Sequence, residues 1–135
     1  MIAQIITIGE IVKILIADDS DVVRKSLVKL ILFVPGFDKP EEAKNVTNTK
    51  SKIIEFKPDV LILDINMPNG NGFDVIKTVK EQDYKITVIM LTNFTTENNK
   101  KKSIEAGINY FLDKSTEFEK VIGILKKVQK ELGTV

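Results

Sequence analysis

The sequence contains no cysteine and no histidine. The first absence excludes disulfides, thiol nucleophiles and cysteine-ligated zinc, and the second removes the usual general base and the commonest transition-metal ligand. Any resident metal is therefore expected to be hard and oxygen-ligated, in the manner of Mg²⁺. An excess of one charge is also missing, because 20 Lys and Arg against 19 Asp and Glu leave a net charge of +1. No bulk attraction to nucleic acid or to an anionic membrane follows from that balance. Long hydrophobic runs are absent too. The most apolar segment, residues 1–12, is interrupted by Glu10 and lacks a basic n-region and a small-residue cleavage pattern. It falls well short of the roughly 20 residues that span a bilayer. A cytoplasmic protein is expected, with no membrane insertion and no direct nucleic-acid binding.

What is present suits one ordinary domain. A chain of 135 residues with 43% apolar and 29% charged residues can bury a single sizeable core. That length is expected to leave no room for an appended output domain. The stretch 57–68 organises the rest: a Pro-Asp start, the branched apolar run Val60-Leu61-Ile62-Leu63, then Asp64 and a turn-rich loop through Gly72. Four such residues bounded by turn signals read as a strand buried on both faces, as in the centre of a parallel sheet. An acid at the carboxyl end of such a strand sits where open α/β sheets bind ligands. Taken alone, Asp64 reads equally well as a loop-starting or helix-capping acid.

The other segments repeat the pattern. Residues 12–16 form an apolar run that stops at Asp18 and Asp19, and Ser20 and Asp21 supply N-cap chemistry for a helix to about Val34, closed by Pro35-Gly36. Residues 37–43 make a poor strand, because Pro40 cannot donate to a ladder and belongs on an edge strand if on any, so a short, peripheral or partly replaced strand is expected. A helix over 47–56 is expected to turn Ile53, Ile54 and Phe56 inward. Another follows from Phe73 to about Gln82. Residues 86–91 form a third buried strand, ending at Thr92 and Asn93. The helix at 97–106 offers only Ile104 and Ala106 to a core, so it is expected to be weakly held and easily shifted. Gly107 ends it, residues 108–112 form the last strand before Asp113-Lys114-Ser115, and an amphipathic helix runs over 116–132. Five strands alternating with five helices imply a doubly wound parallel α/β sandwich.

In a parallel sheet all the strands' carboxyl ends share one edge, so Asp18, Asp19, Asp64, Thr92 and Lys114 are expected to converge there. Each has a bland reading as a cap, a helix-start hydroxyl or a solvated charge. Their joint placement at four of five strand ends is harder to explain that way. Three close carboxylates repel and need a cation. A divalent ion, an ammonium and a hydroxyl together suit the oxygens of a phosphoryl group, with Asp64 as the nucleophile.

At this point the sequence resembles a known family, the receiver domains of bacterial two-component response regulators. The resemblance lies in A-D-D-S at 17–20, P-D-V-L-I-L-D-I-N-M-P-N-G-N-G at 58–72, M-L-T-N at 90–93 and E-A-G-I-N-Y-F-L-D-K-S at 105–115. It extends from about Val12 to Leu132. It implies a flavodoxin-like three-layer sandwich with sheet order 2-1-3-4-5, divided as an N-terminal extension at 1–11 and a receiver domain at 12–135. Asp64 would be the phospho-acceptor, served by a sensor histidine kinase or a histidine phosphotransfer protein. Asp19 and Asp64 would bind Mg²⁺ directly, Asp18 mainly through water, and the main-chain carbonyl of Asn66 would complete the protein ligands. Thr92 would be the switch hydroxyl, Phe111 the aromatic switch residue, and Lys114 the lysine paired with the phosphoryl group.

The sequence departs from the family pattern in places. Ser115 stands where Pro usually follows the lysine, Phe111 lacks the hydroxyl of the more usual Tyr, Val46 occupies a usual Gly position, and Lys39-Pro40 replaces an apolar strand pair. The first dozen residues have no counterpart in the minimal family, and Ile5, Ile6 and Ile8 suit an extra strand or a contact surface. A single-domain receiver acts by binding, with the downstream protein expected on the 97–106 helix and C-terminal helix face, where Lys100, Lys101 and Lys102 are exposed. A homodimer stays open. Two other readings remain: a pseudo-receiver that is never phosphorylated, against which the intact acid cluster argues, and a Mg²⁺-dependent phosphohydrolase. The latter would want a second acid shortly after Asp64, where Asn66 stands. As a receiver the chain would be no enzyme beyond its own phosphorylation and dephosphorylation.

Overall fold

The structure, a computed structural model, describes residues 11–133. The expectation of an extra strand or contact surface at 1–10 lies outside the described residues. Strands β1 (Ile14–Ala17), β2 (Glu41–Ala43), β3 (Val60–Leu63), β4 (Thr87–Thr92) and β5 (Tyr110–Asp113) form one parallel sheet in the order β2-β1-β3-β4-β5. Helices α1 (Asp21–Leu32), α2 (Val46–Phe56), α3 (Phe73–Lys80), α4 (Glu97–Glu105) and α5 (Lys120–Gly133) alternate with them. This is the expected doubly wound, flavodoxin-like sandwich of order 2-1-3-4-5. Among the described residues, no helix is long and apolar enough to cross a membrane.

Two layers of core follow from the strand period of two. Ile14 and Ile16, Val60 and Ile62, Ile89 and Leu91, and Leu112 pack with Leu27 and Ile31 of α1 and Val121, Leu125 and Val128 of α5. The alternate residues, Leu15 and Ala17, Leu61 and Leu63, Val88 and Met90, pack with Val46 and Ile53 of α2 and Val75 and Ile76 of α3. Truncating a fully buried member such as Leu61 costs about 2–5 kcal/mol in transfer and cavity terms.

After β1 the chain crosses to β2 on one side and returns to β3 on the other, so the strand order reverses beside β1. Crevices at such reversal points, beyond the strands' carboxyl ends, are where doubly wound sheets hold ligands. The poor strand foreseen at 37–43 is a three-residue edge strand plus a single parallel bridge between Val12 and Phe37.

Several local expectations are corrected. Ile54 is 56% exposed and Ile104 is 78% exposed, so neither faces the core. In α2 the inward line is Val46, Thr49 and Ile53, one helical stripe that leaves Ile54 about 100° off it. In α4 the buried side chain is Ser103, whose hydroxyl donates to the Asn99 carbonyl. The last helix starts at Lys120 rather than 116, because residues 113–117 are taken up by a turn. There the Asp113 carboxylate accepts from the Ser115 and Thr116 amides, and the Glu117 amide donates to the Asp113 carbonyl. Finally, the loop after Asp64 contains a small antiparallel hairpin pairing Asn66–Met67 with Gly70–Asn71.

Candidate functional site

The site is an extension of the sheet's own hydrogen-bond ladder. The Asp18 amide donates to the Ala43 carbonyl at 3.0 Å, the Asp64 amide to the Ala17 carbonyl at 3.0 Å, and the Lys114 amide to the Thr92 carbonyl at 2.9 Å. Each polar residue just past a strand is thus held as firmly as the strand itself, which explains how short apolar runs can aim side chains from distant parts of the chain at one point.

The side chains meet there. Lys114 Nζ donates to Asp18 Oδ2 at 2.6 Å and to Asp64 Oδ2 at 2.9 Å. Carboxylate oxygens of Asp18, Asp19 and Asp64 all lie within 4.8 Å of one another. Asp18 and Asp64 are buried, at 3% and 5% exposure, whereas Asp19 is exposed. Burial pushes the Asp18 carboxyl above its ordinary value, with bonds from Lys114 and the Ser20 amide pulling the other way. Burial also acts against the Lys114 ammonium. Its hydrogen bonds to Asp18 and Asp64 and their charges outweigh that and hold its pKa above the usual lysine value. Both shifts favour the protonated forms, the first through burial and the second through the two carboxylates that Lys114 contacts.

Thr92, fully buried at the end of β4, accepts the Phe94 amide on its hydroxyl at 3.1 Å. The loop that follows is tied to the one after β5: Thr95 Oγ1 donates to Asp113 Oδ2 at 3.3 Å, and Ser115 Oγ donates to Asn93 Oδ1 at 3.1 Å. Phe111 is half-buried in β5 opposite Met90, packed against the core layer shared with α2 and α3. Asn66 lies exposed in the hairpin, its amide 3.4 Å from Asp64 Oδ1. Phe94 is 46% exposed beside Thr92.

Two residues at the site escaped the sequence reading. Gly72 is buried against the phospho-acceptor candidate's backbone. Its amide donates to the Ile65 carbonyl at 2.6 Å, and a Cβ there would collide with the Asp64 carbonyl oxygen and lie 3.0 Å from Ile65 Cα. The second Gly of N-G-N-G was its only signal. Arg24 reads as one charge among several on an amphipathic helix, yet it is 8% exposed and bonds the Asp18 carbonyl. Its position four residues past the cap Ser20, hence on the same helix face, was the available hint.

The donor set suits a hard divalent cation. It is all oxygen, it is clustered, and three carboxylates against one ammonium leave two negative charges in excess. Lys114 occupies Oδ2 of Asp18 and of Asp64; among the described residues no donor bonds the Asp19 carboxylate, and Asp64 Oδ1 has the Asn66 amide at 3.4 Å.

Residues 14–126 match the family model described as the response regulator receiver domain. Among curated proteins, the chain is 32% identical over 118 residues to the chemotaxis protein CheY of Thermotoga maritima, with 87% of this chain and 98% of that protein covered. It is 30% identical over 103 residues to the DNA-binding transcriptional activator DevR/DosR of Mycobacterium tuberculosis, covering 76% of this chain and 48% of that protein. Among solved structures, it superposes on the response regulator domain of Thermotoga maritima CheB with a TM-score of 0.75 at 29% identity, covering 93% and 98% of the two chains. The chain thus spans about half the length of DevR/DosR, and 24% of the length of a protein-glutamate methylesterase of Treponema denticola to which it is also similar.

Proposed function

The chain belongs to the response regulator receiver family, and on that premise we propose that Asp64 accepts a phosphoryl group from the phosphohistidine of a sensor histidine kinase or of a histidine phosphotransfer protein. An Asp64 carboxylate oxygen would form the new bond to phosphorus as the donor's phosphorus–nitrogen bond breaks, the electron pair leaving with the imidazole nitrogen. The observation that carries this reading is the Lys114 ammonium held between Asp18 and Asp64. It fixes positive charge beside the oxygens where a transferring phosphoryl group spreads its negative charge.

Asp19, Asp64 and the Asn66 main-chain carbonyl would hold Mg²⁺, with Asp18 reaching it through water. When bound, the ion would neutralise charge on the phosphoryl oxygens. Thr92 now accepts the Phe94 amide, which leaves its hydroxyl proton to donate to a phosphoryl oxygen. Its movement would draw on the 93–96 loop and on α4, whose buried side chain among its own residues is Ser103 alone, so few contacts resist a shift. Phe111, lacking a hydroxyl, would transmit the change sterically.

The output would be protein binding on the face built by α4, β5 and α5. Exposed Ile104 there supplies an apolar contact on the same flank as Lys100 and Lys101, whereas Lys102 is turned to the other flank, over the Phe73 ring of α3. Action as a stand-alone receiver is supported by the CheY relative, which is matched over 98% of its length. The chain's own chemistry would be limited to gaining and losing its phosphoryl group, in the cytoplasm.

The test is incubation with Mg²⁺ and acetyl phosphate, or with the beryllofluoride mimic, read by intact mass and amide spectra. A stable adduct on Asp64 supports the proposal. Rapid turnover with release of phosphate would indicate a phosphohydrolase, and no response a pseudo-receiver.

A further inference from the structure

We infer that Arg24 is a positioning residue for the cation side of the site, acting on Asp19 through the main chain of Asp18. The inference rests on the receiver reading above. Arginine is seldom buried unless it is paired. Arg24 has three partners: Nη1 donates to the Asp18 carbonyl at 2.6 Å, Nε donates to Glu42 Oε1 at 3.0 Å, and Nη2 donates to Asp21 Oδ1.

The two carboxylate pairs explain little by themselves. The side chain of Asp21 is 71% exposed and that of Glu42 is 34% exposed, where ion pairs contribute weakly. The buried bond to the carbonyl is different in kind. That oxygen belongs to the peptide joining Asp18 to Asp19, and a planar peptide fixed at its oxygen has its nitrogen, the Asp19 nitrogen, fixed as well.

Asp19 needs this help more than its neighbours do. Asp18 is held by Lys114 and by the Ser20 amide, and Asp64 by Lys114. Among the described residues nothing bonds the Asp19 carboxylate, so its direction is inherited from its backbone. The backbone has two anchors. The Asp18 amide is bound to Ala43, and the Asp18 carbonyl is bound to Arg24, which is itself bound to Glu42 next to Ala43. Arg24 therefore closes a ring joining the end of β1, the first turn of α1 and the three-residue edge strand β2. A fork of fixed geometry suits that task, and a lysine ammonium would not make the same three directed bonds.

The test uses the full chain. Mn²⁺ binding is measured by calorimetry for wild type, Arg24→Gln, Arg24→Lys and Glu42→Gln, and the rate of phosphorylation by acetyl phosphate is followed against Mg²⁺ concentration. Arg24→Gln is expected to weaken Mn²⁺ binding and to raise the half-saturating Mg²⁺ by about tenfold or more, the usual effect of losing an outer partner of metal ligands. Its rate at saturating Mg²⁺ should stay within about threefold of wild type, because the reacting groups are untouched. Arg24→Lys should fall between the two, and Glu42→Gln should show a smaller shift of the same sign.

Unchanged metal affinity in a folded Arg24→Gln overturns the inference, as does a lower maximal rate with unchanged half-saturation. If Arg24→Gln does not fold, Arg24→Lys and Glu42→Gln decide: weakened Mn²⁺ binding in both supports the inference, and wild-type affinity in either overturns it. A wild-type chain that binds no divalent ion would instead overturn the receiver reading on which the inference stands.

Discussion

Lys114 Nζ lies 2.9 Å from Asp64 Oδ2 although fifty positions separate the two residues. Lys114 reaches that point because its own amide extends the β4–β5 ladder, and Asp64 because its amide extends the β1–β3 ladder. The same contact joins Asp18 through Oδ2, so one ammonium serves two buried acids, and among the described residues the third, Asp19, has no such partner. Excess negative charge is thus built into the fold, and it should be measurable.

Relieving that charge should stabilise the cation-free protein. Asp19→Asn is expected to raise the Tm in chelator by a few degrees, since it removes one of three mutually repelling carboxylates. Wild type should gain stability on adding Mg²⁺, about 2.7 kcal/mol at a hundredfold excess over Kd, and the variant should lose most of that gain. Thermal melts with and without Mg²⁺ check both. Equal Mg²⁺ stabilisation in the two proteins would remove Asp19 from the ligand set.

Phe94 stands half-exposed two residues past Thr92, and on the proposed function it would hinder the water that hydrolyses the Asp64 acyl phosphate. Phe94→Ala should therefore lose its phosphoryl group faster, by up to about tenfold, equivalent to about 1.4 kcal/mol of barrier. The decay of the phosphorylated protein after removal of the donor gives the rate. An unchanged or slower decay contradicts a shielding role.

Two glycines separate backbone strain from site geometry. Gly107 has φ +77, and a methyl group added to its Cα would meet nothing within 4 Å, so Gly107→Ala should cost about 1–2 kcal/mol from conformation alone and leave phosphorylation intact. Gly72→Ala meets the Asp64 backbone, so it should cost about 1–3 kcal/mol and slow phosphorylation as well. Denaturant melts and phosphorylation rates on both variants make the comparison.

Asp113 governs the acid side of the β5–α5 turn. The Ser115 amide first of all, then the Thr116 amide and the Thr95 hydroxyl, hold its pKa below the ordinary aspartate value. A lowered folded pKa means that its stabilisation is present above the unfolded pKa and is lost as pH falls through the folded one. Wild type should exceed Asp113→Asn in stability at neutral pH, and the gap should close below about pH 4. Melts between neutral and acid pH measure it, and a gap independent of pH would exclude the carboxylate charge as its source.

The strands and the charged members of the site were legible in the sequence because each apolar run stops abruptly at a polar residue, and a parallel sheet collects those stops at one edge. The flavodoxin-like order came from the family resemblance, and it agrees with Pro40, which suits residues 37–43 to an edge. Helix faces were less legible. Ile53 and Ile54 are adjacent, and only the phase set by Val46 and Thr49 selects the first. In α4 the apolar Ile104 points outward and Ser103 points inward, because Ser103 satisfies its own hydroxyl on the Asn99 carbonyl. Lys102 meanwhile reaches over the Phe73 ring at 4.8 Å, a tether no hydrophobic pattern encodes. Arg24 and Gly72 act through backbone atoms of Asp18 and Asp64, and such contacts exist only once the chain is folded.

The most direct measurement is the intact mass of the chain after incubation with Mg²⁺ and acetyl phosphate, made side by side on wild type and Asp64→Asn. Phosphoryl acceptance at Asp64 predicts one added phosphoryl group on wild type, none when Mg²⁺ is chelated, and none on Asp64→Asn. A wild-type chain that gains no phosphoryl group, or an Asp64→Asn chain that gains one equally well, would contradict it.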